Sequence, residues 1–237
     1  KVSFTLEQEV ASGLHKLARE NGSTLYMVLL AAYTAFLSRL SGQEDIIVGS
    51  PIAGRPHKDL EPILGMFVNT LALRTRPEGG KPFAQYLQEV RETALEAFEH
   101  QDYPFEELVD KLELTRDMSR NPVFDAMLVV QNNDYEPLYL HDLQMKPAQV
   151  SHLVSKFDLT LQASEGDGNI HFLFEYSTAL FEKTTIERWA SHLTNVFSII
   201  GKNPEVTLNH IDILTQEERH QLLNEFNTGQ ANKYGVQ

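Results

Sequence analysis

The sequence contains no cysteine. That absence removes disulfides, Cys-ligated zinc and thiol catalysis together, and it suits a reducing cytoplasm. There is no lysine- or arginine-rich run, and the net charge is −13. Nucleic-acid binding needs a positive footprint to neutralise phosphates, so that class is set aside. The negative balance reads as solubility. The longest apolar run, Leu25–Leu37, is interrupted by Tyr33 and Thr34. It falls short of the roughly 20 residues a bilayer span needs, so no membrane contact is expected and it reads as a helix buried on nearly all sides. No signal-peptide pattern opens the sequence. Phosphate-cradling motifs of the G-x-G-x-x-G or G-K-[ST] kind are missing. No two histidines have H-E-x-x-H spacing, so no metal is expected. Ser50 follows a glycine at a strand end but lacks the G-x-S-x-G surround of a nucleophile elbow.

What is there is enough for a large core: 237 residues, 42% of them hydrophobic. Thr5-Leu6-Glu7-Gln8 fits a capping box, followed by a helical stripe of Val10, Leu14, Leu17 and Ala18. Asn21-Gly22 ends that helix, and Ser23 or Thr24 caps the next, which stops at Gly42. Asp45–Ser50 reads as a short buried strand, and Gly65–Arg74 as another whose pleat puts Phe67, Asn69, Leu71 and Leu73 on one face. Pro82 starts a helix with apolar residues from Phe83 to Phe98 at helical spacing, closed by His100-Gln101-Asp102. Tyr103-Pro104-Phe105-Glu106-Glu107 opens a shorter one with two acids near its positive end. Val123–Val130 reads as a strand, and a strand is expected near Leu143–Val150. Phe157–Ala163 and Ile170–Tyr176 flank Glu165-Gly166-Asp167-Gly168 as a hairpin. Thr184-Thr185-Ile186-Glu187 is a second capping box, opening a helix ended by Gly201. Thr215-Gln216-Glu217-Glu218 caps a last short helix. The order predicts an α+β fold: an open mixed sheet with helices packed on one face. Residues 1–214 form the domain, and 215–237 read as a short helix and linker.

Packing alone does not account for two polar constellations. One is the loop Arg116-Asp117-Met118-Ser119-Arg120-Asn121-Pro122 between two core-forming elements; the other is Asn69 and Thr70 in an apolar strand. Polar groups of that density satisfy one another or touch a ligand. Arg116, Asp117 and Arg120 fit a structural ion-pair network as well as a binding role. Asn69 fits a satisfied core amide or a donor to a ligand. His100 and Asp102 invite an acid–base reading, against which stands a histidine at a helix C-terminus.

Three stretches in order, Leu64–Arg74 (LGMFVNTLALR), His100–Leu108 (HQDYPFEEL) and Arg116–Met127 (RDMSRNPVFDAM), resemble the late core motifs of nonribosomal peptide synthetase condensation domains. Asp45–Arg55 and Lys156–Leu161 look like the same family, and LTQEERHQLLNEFN resembles the passage toward a following adenylation domain. The resemblance implies one lobe of a two-lobed, chloramphenicol-acetyltransferase-like fold with a tunnel between lobes. It also implies peptide-bond formation between a donor acyl or peptidyl group and an acceptor aminoacyl group. Both groups arrive on 4'-phosphopantetheine arms of carrier proteins, with no cofactor bound directly. The family's catalytic histidine lies in HHxxxDG. Here no His-His pair occurs, and none of the nine histidines begins H-x-x-x-D. The chain therefore resembles the C-terminal lobe alone, with no catalytic residue of its own and inactive by itself. The resemblance places Ser50, Phe67, Asn69, Thr70, Tyr103, Pro104, Phe105, Glu106, Arg116, Asp117, Ser119, Arg120, Asn121 and Pro122 at the tunnel or lobe interface. An epimerisation or cyclisation relative, and a non-catalytic carrier-docking scaffold, remain as alternatives.

Overall fold

The computed structural model describes residues 1–55, 57–114, 117, 120–131 and 154–226. Its centre is a sheet of β1 (Val2–Leu6), β2 (Ile46–Ile52), β3 (Asn69–Thr75), β4 (Ala126–Gln131), β5 (Leu159–Gly166) and β6 (Asn169–Tyr176), in the order β1-β6-β5-β4-β2-β3. β4 runs parallel to both β2 and β5, and the outer pairs are antiparallel. The helices are α1 (Gln8–Glu20), α2 (Leu25–Ser41), α3 (Phe83–Glu99), α4 (Phe105–Lys111), α5 (Lys183–Lys202) and α6 (Gln216–His220).

Strand alternation builds one core. Leu73 and Val48 are paired across β3 and β2, Leu128 and Leu161 across β4 and β5, and Leu161 and Phe174 across β5 and β6; all are fully buried. Period-2 geometry puts them on one side of the sheet. The helices cover that side: Phe197 of α5 stacks on Phe172 at 5.2 Å, and α2 is buried without a break from Met27 to Phe36. Inside the core, Tyr86 and Thr34 share a 2.6 Å hydroxyl contact, and Thr34 Oγ1 also reaches the Leu30 carbonyl. The other side of β1, β6 and β5 carries Ser3, Thr5, His171, Glu175, Gln162 and Ser164, none of them buried. Helices on one face of an open mixed sheet is the architecture expected from the sequence. No single helix among the described residues is long and apolar enough to cross a membrane.

Local punctuation follows the sequence in several places. Thr24 caps α2 by accepting from the Met27 amide, and Gly42 closes it at φ 71°. Asp167 and Gly168 take φ values of 53° and 79° between paired Gly166 and Asn169, the two-residue turn whose twist suits a hairpin. Thr215 and Glu218 cap α6 reciprocally.

Four expectations fail. Thr5 is no cap: it belongs to β1, opposite His171, whose ring nitrogen its hydroxyl meets at 3.1 Å. Edge-strand pairing overrides the local capping pattern, and α1 starts after Glu7 without a side-chain cap. The Thr184 box is also absent, because α5 begins earlier, at Lys183. There Phe181, packed on Trp189 at 5.1 Å, fixes the entry. β3 begins at Asn69 rather than Gly65, leaving Leu64, Met66 and Val68 exposed. β4 begins at Ala126 rather than Val123, since Phe124 leaves the strand path to lie against Gly49. The strand expected near Leu143–Val150 lies outside the described residues.

Candidate functional site

Asn69 organises the site. It opens β3 and spends every polar atom of its amide. Its Nδ2 donates to the Gln101 and Tyr103 carbonyls, each at 2.8 Å. Its Oδ1 accepts the Thr70 amide at 2.8 Å and the Phe105 amide at 3.2 Å. The last contact is a helix cap supplied from a distant strand. α4 has Pro104 at its N-cap position and no side-chain cap of its own, so the first free N–H of the helix goes to Asn69. The first N–H groups of a helix have no partner within it and need an acceptor from elsewhere. This decides between the two sequence readings: Asn69 is a satisfied structural amide.

The neighbours follow from this clamp. Tyr103 is partly exposed, and the Lys111 ammonium lies 5.1 Å from its ring centre. Glu106 is exposed in the first turn of α4. Phe105 is half-buried and packs on Phe124 at 5.5 Å, which in turn stacks on Phe157 at 5.5 Å. This aromatic row lies over Gly49, where a Cβ would come within 2.1 Å of the Phe124 ring. Thr70 is half-buried, opposite Pro51. Phe67 precedes the strand and carries the Arg55 guanidinium 4.2 Å above its ring. Gly54 (φ +62°) approaches the Phe67 carbonyl so closely that a Cβ would stand 1.8 Å from the oxygen.

Ser50 is 2% exposed on β2, and its hydroxyl donates to the Leu128 carbonyl at 3.0 Å. Beside it lies a residue that the sequence did not single out. Burial raises the Tyr26 hydroxyl to about 12, with the Ser50 hydroxyl opposing the rise. Their approach falls short of a well-formed bond, because the Tyr26 oxygen is shut from solvent with no partner among the described residues. Only its place near the start of a buried helix could have suggested it.

The loop constellation is met in part. Arg120 pairs with Asp125, as a structural ion pair would, and that contact holds the guanidinium above its usual range. The Arg120 amide donates to the Asp117 carbonyl at 3.3 Å. Asn121 reaches the Lys156 carbonyl at 3.5 Å, and Pro122 is exposed. Arg116 and Ser119 lie outside the described residues. The two constellations are linked through the Phe105–Phe124 contact. His100 caps α3 by position, and its carbonyl accepts from the Tyr103 amide at 3.1 Å.

This mixed sheet covered on one side, with Asn69, Phe105 and Phe124 joining the described parts of the motif segments, is the fold of solved condensation domains. The condensation-domain family matches residues 1–223, and the chain belongs to it. It is similar to a plipastatin synthase of Bacillus subtilis (strain 168), 97% identical over the whole chain, which spans 7% of that protein. In structure it is similar to a four-domain nonribosomal peptide synthetase bound to AMP and glycine. That match has TM-score 0.85 and 24% identity, over 92% of this chain and 18% of the other. The condensation domain of the monacolin K polyketide synthase superposes with TM-score 0.79 at 21% identity, over 87% of this chain and 48% of its own.

Proposed function

We propose that this chain is the C-terminal lobe of a peptide-bond-forming condensation domain. The reading rests on one observation: most of this chain matches less than half of a solved condensation domain, while HHxxxDG is absent from its sequence. In the assembled domain the N-terminal lobe supplies the histidine that orients or deprotonates the acceptor amine. This lobe supplies one wall of the tunnel. The amine attacks the donor thioester, the C–S bond breaks, and the lengthened chain stays on the acceptor arm. Donor and acceptor carrier proteins bring both groups on phosphopantetheine, and residues 215–237 lead toward an adenylation domain.

Ser50, Asn69, Thr70, Phe105, Arg120 and their motif neighbours act in this reading as positioning residues. They fix the wall and the lobe contact and transfer no proton. The apolar side chains of Leu64, Met66 and Val68, exposed beside the Asn69 clamp, suit a surface that the other lobe covers.

The test is a turnover assay with two loaded carrier proteins. The chain alone is expected to give no dipeptide, and the chain joined to an N-terminal lobe is expected to give it. Dipeptide from the chain alone overturns the reading. Epimerised donor from the joined protein assigns the epimerisation relative, and carrier binding without chemistry assigns a docking scaffold.

A further inference from the structure

β1 lies at one end of the sheet, and no described strand flanks its other side. The direction of its backbone groups follows from the β5–β6 hairpin. Asp167 and Gly168 form a two-residue turn, and such a turn is closed by a hydrogen bond between its flanking residues, here Gly166 and Asn169. Bonded and non-bonded pairs then alternate along the antiparallel ladder. Odd-numbered residues of β6 therefore aim their backbone groups at β5, while Ile170, Phe172 and Phe174 aim theirs at β1. Their partners there are Leu6, Phe4 and Val2. The N–H and C=O groups left on the free edge are those of Ser3 and Thr5, both exposed residues. Neither proline nor a bulge blunts this edge, since pairing with β6 is unbroken over Val2–Leu6. Such an edge is a template for another strand. Beside it a groove of about 410 Å³ opens between β1 and α5, lined by Val2, Phe4, Ala190, Ser191 and Thr194.

We propose that this edge pairs with the same edge of a second copy of the chain, β1 against β1 about a two-fold axis through Phe4. The strand's self-complementarity selects that occupant. An antiparallel pairing centred on Phe4 uses all of Val2–Leu6 and sets Ser3 of each copy opposite Thr5 of the other, each such pair exchanging both of its N–H···O bonds. Phe4 meets Phe4 on the non-bonded pair at the axis, where side chains stand closest. In each copy Phe4 is half-buried and stacks on Phe172 at 5.0 Å, so the aromatic row runs on across the axis. On the other face Lys1, which holds Glu175 at 2.6 Å, comes opposite Glu7 of the second copy. Glu7 is exposed, and its side chain caps no helix. Opposite charges facing across a strand pair are favourable. A register shifted by two residues loses that pairing and leaves part of each strand uncovered. Each copy carries a net charge of −13, so the contact forms against repulsion. It is read at about 0.15 M salt, where charges more than about 8 Å apart are screened. The proposal does not depend on the reading given above.

Sedimentation velocity over about 1–300 μM, the range of a weak interface, is expected to take the 237-residue chain from 26.9 kDa toward twice that mass. Exchange at the Ser3 and Thr5 amides should slow as concentration rises, while amides of β4 and β5 do not respond. Ser3→Pro removes an outward N–H and spares the bonds to β6, so it should abolish the dimer. Glu7→Lys should weaken the dimer at least about tenfold. Glu9→Lys, the same change of charge in the first turn of α1, should not weaken it. A monomer across the whole range overturns the proposal, and so does a dimer that Ser3→Pro, folded as judged by its melting, leaves intact. Equal weakening by Glu7→Lys and Glu9→Lys overturns it too. Loss of the dimer in Leu64→Ser but not in Ser3→Pro would overturn it by assigning the contact to the exposed loop before β3. A monomer that binds a peptide of residues 1–7 would overturn it by assigning the edge to an extended segment of another protein. Glu7→Lys and the exchange pattern carry the test if Ser3→Pro does not fold.

Discussion

Replacing Asn69 by alanine removes four hydrogen bonds at once: two to carbonyls, two from amides. A typical bond contributes about 0.5–1.5 kcal/mol net, and loss of a helix cap costs about 0.5–2 kcal/mol. The amide is half-buried, so the Gln101 and Tyr103 carbonyls partly regain water. Counting half the bonds plus the cap gives about 1.5–5 kcal/mol. α4 has no buried residue of its own, so that loss falls first on the docking of α4 rather than on the whole fold. Amide hydrogen exchange is therefore the assay. Protection at the Phe105 amide should fall roughly 10- to 4,000-fold, at about tenfold per 1.4 kcal/mol, while amides in β5 and β6 keep theirs. Asn69→Asp sharpens the test. It keeps an oxygen for the two amides but turns a second one toward two carbonyls, so at neutral pH it should be no milder than alanine. Unchanged exchange at Phe105 in Asn69→Ala would refute the clamp and return Asn69 to the ligand-donor reading.

Gly54→Ala places a Cβ 1.8 Å from a backbone oxygen at φ +62°; a loss of at least about 2 kcal/mol is expected by urea unfolding. Glu218 is pushed up by burial, but the Thr215 amide and His192, 2.7 Å away, outweigh that and hold it below the 4.5 of a free side chain. A depressed carboxylate contributes stability above its unfolded value and loses it as pH falls through the folded one. α6 should therefore loosen below about pH 4.5, read by exchange at the Glu218 amide, and Glu218→Gln should abolish that pH dependence. Asp158 is raised above 3.8, so its ionisation disfavours the fold as pH rises past that value. Asp158→Asn should melt no lower than the parent at pH 7, and any gain over the parent should disappear by pH 3; a fall in melting temperature at pH 7 contradicts this.

Long apolar periodicity made α2, α3 and α5 readable, and the Asp167-Gly168 turn fixed the β5–β6 hairpin, because each rests on neighbours in sequence. The failures share a cause. Thr5 and Thr184 satisfy a four-residue capping pattern, but a sheet partner distant in sequence and an aromatic contact decide their conformation from outside that window. Phe124 alternates correctly for a strand, yet it is drawn out by a glycine on β2. At the site, residue types were legible and roles were not. The partners of Asn69 are backbone groups of Gln101, Tyr103 and Phe105, which have no side-chain signature, and Ser50 likewise bonds a carbonyl.

This pattern of partners directs attention to Tyr26. Ser50, Asn69 and Arg120 each have an internal partner. The Tyr26 hydroxyl has none among the described residues and is shut from solvent beside Ser50. A buried polar group left unpaired costs about 1–3 kcal/mol, so the lone lobe should gain from its removal. Tyr26→Phe is expected to leave this chain as stable as the parent or stabilise it by up to about 1 kcal/mol in urea. In a protein joined to the N-terminal lobe the expectation differs. If assembly or substrate supplies the missing partner, the same variant should lose turnover, with its unfolding midpoint unlowered. Unchanged turnover would leave the hydroxyl a local packing cost. A marked loss of stability in the lone chain would refute the premise, since it would mean that the oxygen is already satisfied.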